Sequence, residues 1–484
     1  MLAYLIAIPF VGAFASYFAE RYGIAKARSV AFATSLLTLL VSLAALNSFL
    51  SGKEMFPAQA WEWISDFGIT FTLGADAMSL SLVLLTALLF VVAILASWNI
   101  EANTKRYYAL LLFMEAGLMG VFLALDLFLF YVFWEIVLIP AFFLINGWGG
   151  AKRSYAAMKI LIYTHLGSLF MFIGFILLYL KAGSFSFFAI SDTLASLDAG
   201  FKSFVFLLLF IGFAFKIPLV PFHSWLPDAY TEAPTPVSVL LAGLLSKMGA
   251  YGLLRIGVTL LPETFQSYAY AIAVLAVVSV FYAAFAALAQ RDIKRLVAFS
   301  SVSHMGFIVL GIASLNLIGI NGAIFQMVSH GLIVALLFFL TGMLVEKARS
   351  REIPYLGGLI TKAPFLGWVL VFASLASLGL PGLSGFVAEL SILLGLFKSF
   401  SSLAYLAVLS LPLTAGYYLW MLQRAAFGAT SELIESARSD VAWHEAVPVL
   451  VLVILITLLG LYPAPLMNMI STTSQAIVAL IGGI

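Results

Sequence analysis

A chain of 484 residues that is 63% hydrophobic and only 10% charged is not an ordinary soluble domain, in which about a quarter of residues carry charge. The net charge of +2 supplies no nucleic-acid surface, because the lysines and arginines are scattered through short segments between apolar runs. The absence of cysteine excludes disulfides and thiolate-held iron–sulfur or zinc sites within the chain, so any redox chemistry must sit in another polypeptide.

A membrane span needs about 20 apolar residues, and scanning on that basis predicts an all-α polytopic membrane protein of about fourteen transmembrane helices. Met1-Leu-Ala-Tyr4 runs directly into apolar sequence without a basic n-region, which reads as a first span near Leu2–Phe18 and not as a cleaved signal peptide. A second span near Ser29–Phe49 is followed by two alternating runs between Trp61 and Asp76. They flank Phe67-Gly68, the pattern of a small hairpin on one membrane face. Helices three to six are expected near Met78–Trp98, Tyr107–Leu123, Leu127–Ile145 and Tyr155–Leu180. Helix seven, Phe204–Tyr230, is interrupted at Pro218 and Pro221, and helix eight covers Val237–Leu260. Helices nine to eleven fall near Tyr268–Ala289, Ile293–Ala313 and Leu317–Val345. Helix twelve, Phe365–Phe400, is broken at Gly379-Leu-Pro-Gly-Leu-Ser-Gly385. Helices thirteen and fourteen lie near Leu403–Leu422 and Val447–Leu461, ahead of a short amphipathic tail.

The two interrupted helices lie five apart, so helices four to eight and nine to thirteen are expected to form two five-helix repeats. An odd repeat must be inverted in the membrane, an arrangement transporters use to build ion sites near the midplane. The implied units are residues 1–106 with the hairpin, 107–260 and 261–424 as the two half-channels, and 425–484 as the C-terminal part. Of the 24 basic residues, 17 fall after odd-numbered helices, from Arg21 to Arg438, and five (Lys53, Lys181, Lys202, Arg255 and Lys398) on the other side. This bias places the first set in the cytoplasm and both termini outside. Lys216 and Lys247 are left over, inside spans.

An ionisable group inside a span is costly and marks a functional site by default. Lys216 precedes the double-proline break, and Glu135, in Phe130-Tyr-Val-Phe-Trp-Glu-Ile-Val-Leu-Ile-Pro140, is the natural partner for it. Opposite charges favour each other's charged form, although such a pair could serve helix packing alone. Lys247, His304, His330 and Glu389 each lie in a further helix. A spread of Lys, His and Glu with interspersed serines is what lateral proton transfer requires. Glu115, His223 and Asp228 are secondary candidates, whereas His165 and His444 read as ordinary packing or loop histidines. The histidines lack close metal-ligand spacing, and the glycine-rich stretches lack the strand–loop–helix setting of a phosphate cradle.

Several stretches resemble the antiporter-like subunits of complex I, the proton-pumping NADH:quinone oxidoreductase, and most closely its M-type subunits. They are Leu127 to Pro140, Lys216-Ile-Pro-Leu-Val-Pro-Phe-His-Ser-Trp-Leu-Pro-Asp228-Ala, Glu232-Ala-Pro-Thr-Pro-Val-Ser, Leu244-Leu-Ser-Lys-Met-Gly-Ala-Tyr-Gly252 and Ala298 to Gly306. The resemblance implies fourteen helices, the two inverted repeats, and proton-transfer roles for Glu135, Lys216, Lys247, His304, His330 and Glu389. Glutamate at 389 is M-like, since L- and N-type subunits and the related Mrp protein typically carry lysine there. Tyr230 departs from the pattern, because many relatives have histidine at that place. The resemblance also implies no cofactor in this chain, with NADH, FMN, iron–sulfur clusters and quinone held by partner subunits. L- and N-type neighbours and lipid are the expected contacts, without nucleic acid, in a bacterial-type inner membrane. An Mrp-type cation/proton antiporter, the equivalent subunit of a membrane-bound hydrogenase or F420H2 dehydrogenase, and a purely structural anchor stay open as alternatives.

Overall fold

The computed structural model describes residues 1–52, 59–435 and 441–482. Lys53 and Arg438, two of the cations used to orient the chain, lie outside the described residues. The protein is a multi-pass membrane bundle: among the described residues, 14 helices are long and apolar enough to cross a membrane. Their burial is uneven. Thr235–Val258 and Ile293–Ala313 are enclosed along their whole apolar windows and Leu317–Ala348 nearly so, while Ile24–Leu50 and Arg153–Ala182 present most of their surface outward. Helices eight, ten and eleven are therefore the axis of the molecule, and three of the candidate side chains are carried on them.

Both expected breaks are present. Helix seven stops at Lys216 and resumes as Trp225–Glu232, because Pro218 and Pro221 remove the N–H groups that a continuing helix would use. Backbone groups freed there find protein partners: the Trp225 indole N–H donates to the Phe215 carbonyl at 2.8 Å, and the Val220 N–H donates to Ser279 Oγ at 3.0 Å. Helix twelve is split into Pro364–Ser377 and Ser384–Ser399, with Gly379 and Gly382 at φ +82° and +93° between them. Side-chain-bearing residues are strained in that region, so the glycines set the place of the break.

The hairpin pairs Gln59–Ile64 antiparallel with Ile69–Leu73, Trp61 opposite Phe71. It is tied to the bundle by Asp126, whose carboxylate accepts from the Thr70 N–H at 3.1 Å and from the N–H groups of Phe128 and Leu129, the start of helix five. Burial pushes the Asp126 carboxyl above the ordinary aspartate value, against the lowering effect of these hydrogen bonds.

Four features depart from the expectations. The segment after helix fourteen is not a short tail but a 19-residue helix, Ala464–Gly482, that buries Met469, Ile470, Thr473, Ser474, Ile477 and Ile481 along one stripe. A further short helix, Phe187–Leu194, lies between helices six and seven. Arg255 is not a loop cation: it is buried within Thr235–Val258 and its guanidinium pairs with Asp76, with Ser79 and the Tyr251 hydroxyl as further partners. Lys294, likewise counted with the loops, is buried and donates to the Ala233 carbonyl at 3.3 Å.

Candidate functional site

Four of the six principal candidates form one chain of contacts. Lys247 is fully buried, and its ammonium donates to the Ala242 carbonyl at 2.6 Å and lies 2.8 Å from His330 Nδ1. That carbonyl is available because helix eight widens into a π-helical turn over Leu241–Leu245, which disturbs the usual i to i−4 ladder just before the lysine. Helices eight and eleven cross closely at paired glycines: a Cβ on Gly331 would lie 3.1 Å from the Gly243 carbonyl oxygen. This approach brings Lys247 to His330.

The His330 and His304 rings are 5.2 Å apart between centroids, and His304 Nδ1 lies 2.9 Å from Glu389 Oε1. Glu389 sits in the second turn after the helix-twelve break, where Gly379 leaves it room: a Cβ on that glycine would be 3.2 Å from Glu389 Oε2. His304, His330 and Glu389 are all nearly inaccessible. The row thus carries two imidazoles between an ammonium and a carboxylate, with close polar contacts at its two ends and a 5.2 Å ring-to-ring contact in the middle.

Lys216 is placed differently from the expectation. It is buried, its ammonium has no hydrogen-bond partner among the described residues, and it lies over the Trp134 ring at 5.2 Å from the centroid. Glu135 acts on it through space but is not bonded to it. Instead Glu135 Oε2 is 2.9 Å from His165 Nδ1 on helix six, with the two side chains 23% and 51% exposed at the outer surface of the bundle. His165, which the sequence presents as an unremarkable packing histidine, is therefore part of the site. A carboxylate two helices away cannot be assigned to one cation over another from spacing alone. Helix seven meets helix eight next to the lysines: a Cβ on Gly249 would lie 2.8 Å from the Ile217 nitrogen, so Lys216 and Lys247 sit on directly packed segments.

The secondary candidates are not drawn into this row. Glu115 is completely buried in helix four with neither oxygen hydrogen-bonded among the described residues. His223 packs its ring against Tyr282, 4.9 Å between centroids. Asp228 belongs to a polar cluster near one end of the bundle, accepting from Lys159 at 2.6 Å and Arg295 at 3.0 Å. With Lys152, Glu232, Asp292 and Arg351 it lines a cavity of about 760 Å³. Tyr230, at the position where histidine was noted in relatives, is buried and donates to the Leu241 carbonyl, the residue that opens the π-helical turn. Among the described residues no group of His, Asp and Glu is arranged to hold a metal ion.

Residues 124–414 match the family model described as NADH:quinone oxidoreductase/Mrp antiporter, TM. The chain belongs to that family. It is 40% identical to F(420)H(2) dehydrogenase subunit M of Methanosarcina mazei, over 99% of this chain and 98% of that one. NADH-quinone oxidoreductase subunit M of Escherichia coli K12 is 39% identical, over 97% and 96% of the two chains. A chain in the structure of respiratory complex I from Thermus thermophilus superposes with a TM-score of 0.90 at 30% identity, covering 99% of this chain and all of its own length. This family membership agrees with the resemblance drawn from the Glu135, Lys216, Lys247 and His304 stretches, and the superposition over 99% of the chain gives it the fold of that complex I chain.

Proposed function

We propose that this chain is the M-type proton-translocating membrane subunit of a complex I-type oxidoreductase. The observation that carries the reading is the buried row Lys247–His330–His304–Glu389 inside a full-length match to M subunits. In this scheme Lys216 is the switch of the first half-channel, over residues 107–260, and Glu389 is the outlet of the second, over 261–424. When Glu135 engages Lys216 the ammonium is stabilised, and when Glu135 turns to His165 the lysine loses that support and its proton moves towards Lys247. From Lys247 the proton passes to the Nδ1 of His330, then by way of His304 to Glu389. The basic helix ends face the cytoplasm and both termini the outside.

Redox chemistry lies outside the chain. NADH or a related donor, FMN, iron–sulfur clusters and quinone belong to partner subunits, and L- and N-type antiporter-like subunits and lipid flank this one. Relatives named for NADH and for F(420)H(2) have nearly equal identity, so the donor is a matter for experiment. Inverted membrane vesicles from the source organism, given NADH or F420H2, are expected to acidify with one of them, and Lys216→Met is expected to abolish most of that acidification in fully assembled complex. Normal acidification by the variant would overturn the proton-path reading. Sodium-dependent proton flux without electron transfer would favour an Mrp-type antiporter instead.

A further inference from the structure

A branch of hydroxyl groups leaves the row at His304 and is not used by the path above. Its hydrogen-bond directions can be worked out from the far end. Ser300 Oγ donates to the Val297 carbonyl at 2.8 Å, and a carbonyl can only accept, so the single hydroxyl hydrogen of Ser300 is committed. The Tyr418 hydroxyl, 2.9 Å from Ser300 Oγ, must therefore donate to it. Ser377 Oγ, 2.8 Å from the Tyr418 oxygen, must in turn donate to Tyr418. His304 Nε2, 3.1 Å from Ser377 Oγ, then faces an oxygen whose hydrogen is already spent, and the ring nitrogen has to be the donor. Ser300, Ser377 and Tyr418 are all buried.

We propose that Tyr418 is a positioning residue that, through Ser377, fixes neutral His304 in the form protonated at Nε2 and bare at Nδ1, making Nδ1 the nitrogen that exchanges a proton with Glu389. This rests on the proton-path reading of the row. The exchange balances simply: the O–H bond at Glu389 Oε1 breaks as the N–H bond at His304 Nδ1 forms, giving carboxylate and imidazolium, and the reverse step restores the neutral pair. The two atoms are in direct contact at 2.9 Å with no group between them, although Nδ1 is not in an aligned hydrogen bond in this arrangement and the exchange needs a small turn of either side chain. The Nε2 nitrogen of the ring stays occupied throughout, so His304 takes up and releases a proton only at Nδ1, on the Glu389 side, and not into the serines. The hydroxyl branch thus sets a direction without carrying the proton itself.

Tyr418→Phe in the assembled complex tests this directly, because it keeps the ring and removes both links. Ser377 is then free to turn and donate to Nε2, which moves the hydrogen of the neutral imidazole to Nδ1 and blocks the exchange. Proton translocation per assembled complex is expected to fall about five-fold, the size of one lost hydrogen bond of about 1 kcal/mol, with the amount of complex unchanged. Combined with Glu389→Gln, the same substitution is expected to add no further loss. Infrared imidazole bands that report the tautomer, assigned by their loss in His304→Gln, are expected to move from the Nε2–H to the Nδ1–H position in Tyr418→Phe and to become mixed in Ser377→Ala. Unmoved bands, or a loss confined to the amount of complex assembled, would overturn the proposal alone. Normal pumping by Glu389→Gln would overturn the proton-path reading and the proposal with it.

Discussion

Glu135 meets His165 at 2.9 Å across helices five and six, while Lys216 has the Trp134 ring at 5.2 Å and only the through-space influence of that carboxylate. One carboxylate thus faces two basic side chains, an imidazole bonded to it and an ammonium within its electrostatic reach. Removing His165 leaves Lys216 as the remaining partner and biases the carboxylate to that side. His165→Ala is therefore expected to slow translocation about three- to ten-fold, equivalent to roughly 1 kcal/mol of lost bias. His165→Lys keeps a competing charge and is expected to retain more activity. Proton uptake by reconstituted complex measures both, and equal rates in wild type and His165→Ala would contradict this arrangement.

Arg255 and Asp76 bind the outer part of helix eight to the start of helix three from inside the bundle. Arg255→Met leaves Asp76, 17% exposed, without its guanidinium partner. Stability is expected to fall by about 3 kcal/mol, the lower part of the range for a broken buried pair, since some solvent still reaches the carboxylate. The Arg255→Met, Asp76→Leu double variant is expected to recover part of that loss. Thermal unfolding of the purified complex followed by the release of this subunit gives the comparison.

Room for Glu389 depends on Gly379, which has φ +82° and no side chain within the space that the carboxylate fills. Gly379→Val both strains the backbone and pushes on Glu389 Oε2. Translocation is expected to drop at least ten-fold, a displacement worth about 1.4 kcal/mol or more, while Gly416→Ala on helix thirteen, where a Cβ would meet nothing within 4 Å, is expected to be neutral. The pair of measurements separates a local effect at the carboxylate from general sensitivity to added methyl groups.

What could be read from the chain beforehand follows from how membranes treat charge. Lys216, Lys247, His304, His330 and Glu389 stand out because each interrupts an apolar span, and proline and glycine announce both broken helices. His165 interrupts a span equally well, but its role depends on which face of helix six meets Glu135, and only the packed structure supplies that. Ser377 and Tyr418 give no signal at all, since serine and tyrosine are common in membrane helices and acquire meaning here only through their mutual distances. Arg255 falls inside the expected helix eight, Val237–Leu260, yet sits close enough to its end to read as a loop cation; only the packed structure shows that it turns inward to Asp76. The π-helical turn that offers the Ala242 carbonyl to Lys247 has no sequence mark either.

Asp126 joins the hairpin to helix five, so Asp126→Ala is expected to cost about 1–2 kcal/mol as a lost helix cap together with its tether to Thr70. Because burial raises this carboxyl above its unfolded value, the folded state holds the proton more tightly. Its contribution to stability is therefore greatest at low pH and declines as pH rises from the ordinary aspartate value through the raised one. Asp126→Asn is expected to remove that slope. Unfolding midpoints taken between about pH 4 and 7 test the sign, the window lying at and above the unperturbed value.

The most direct test of the central claim is the number of protons moved per electron pair by complex carrying Lys247→Met, reconstituted in liposomes and normalised to assembled enzyme. Lys247 stands at the head of the His330–His304–Glu389 row, on a helix segment packed directly against that of Lys216. If the row is a proton path, the ratio must fall while the electron-transfer arm remains attached and chemically intact. An unchanged ratio at normal turnover would show that these buried charges serve packing and that protons travel elsewhere.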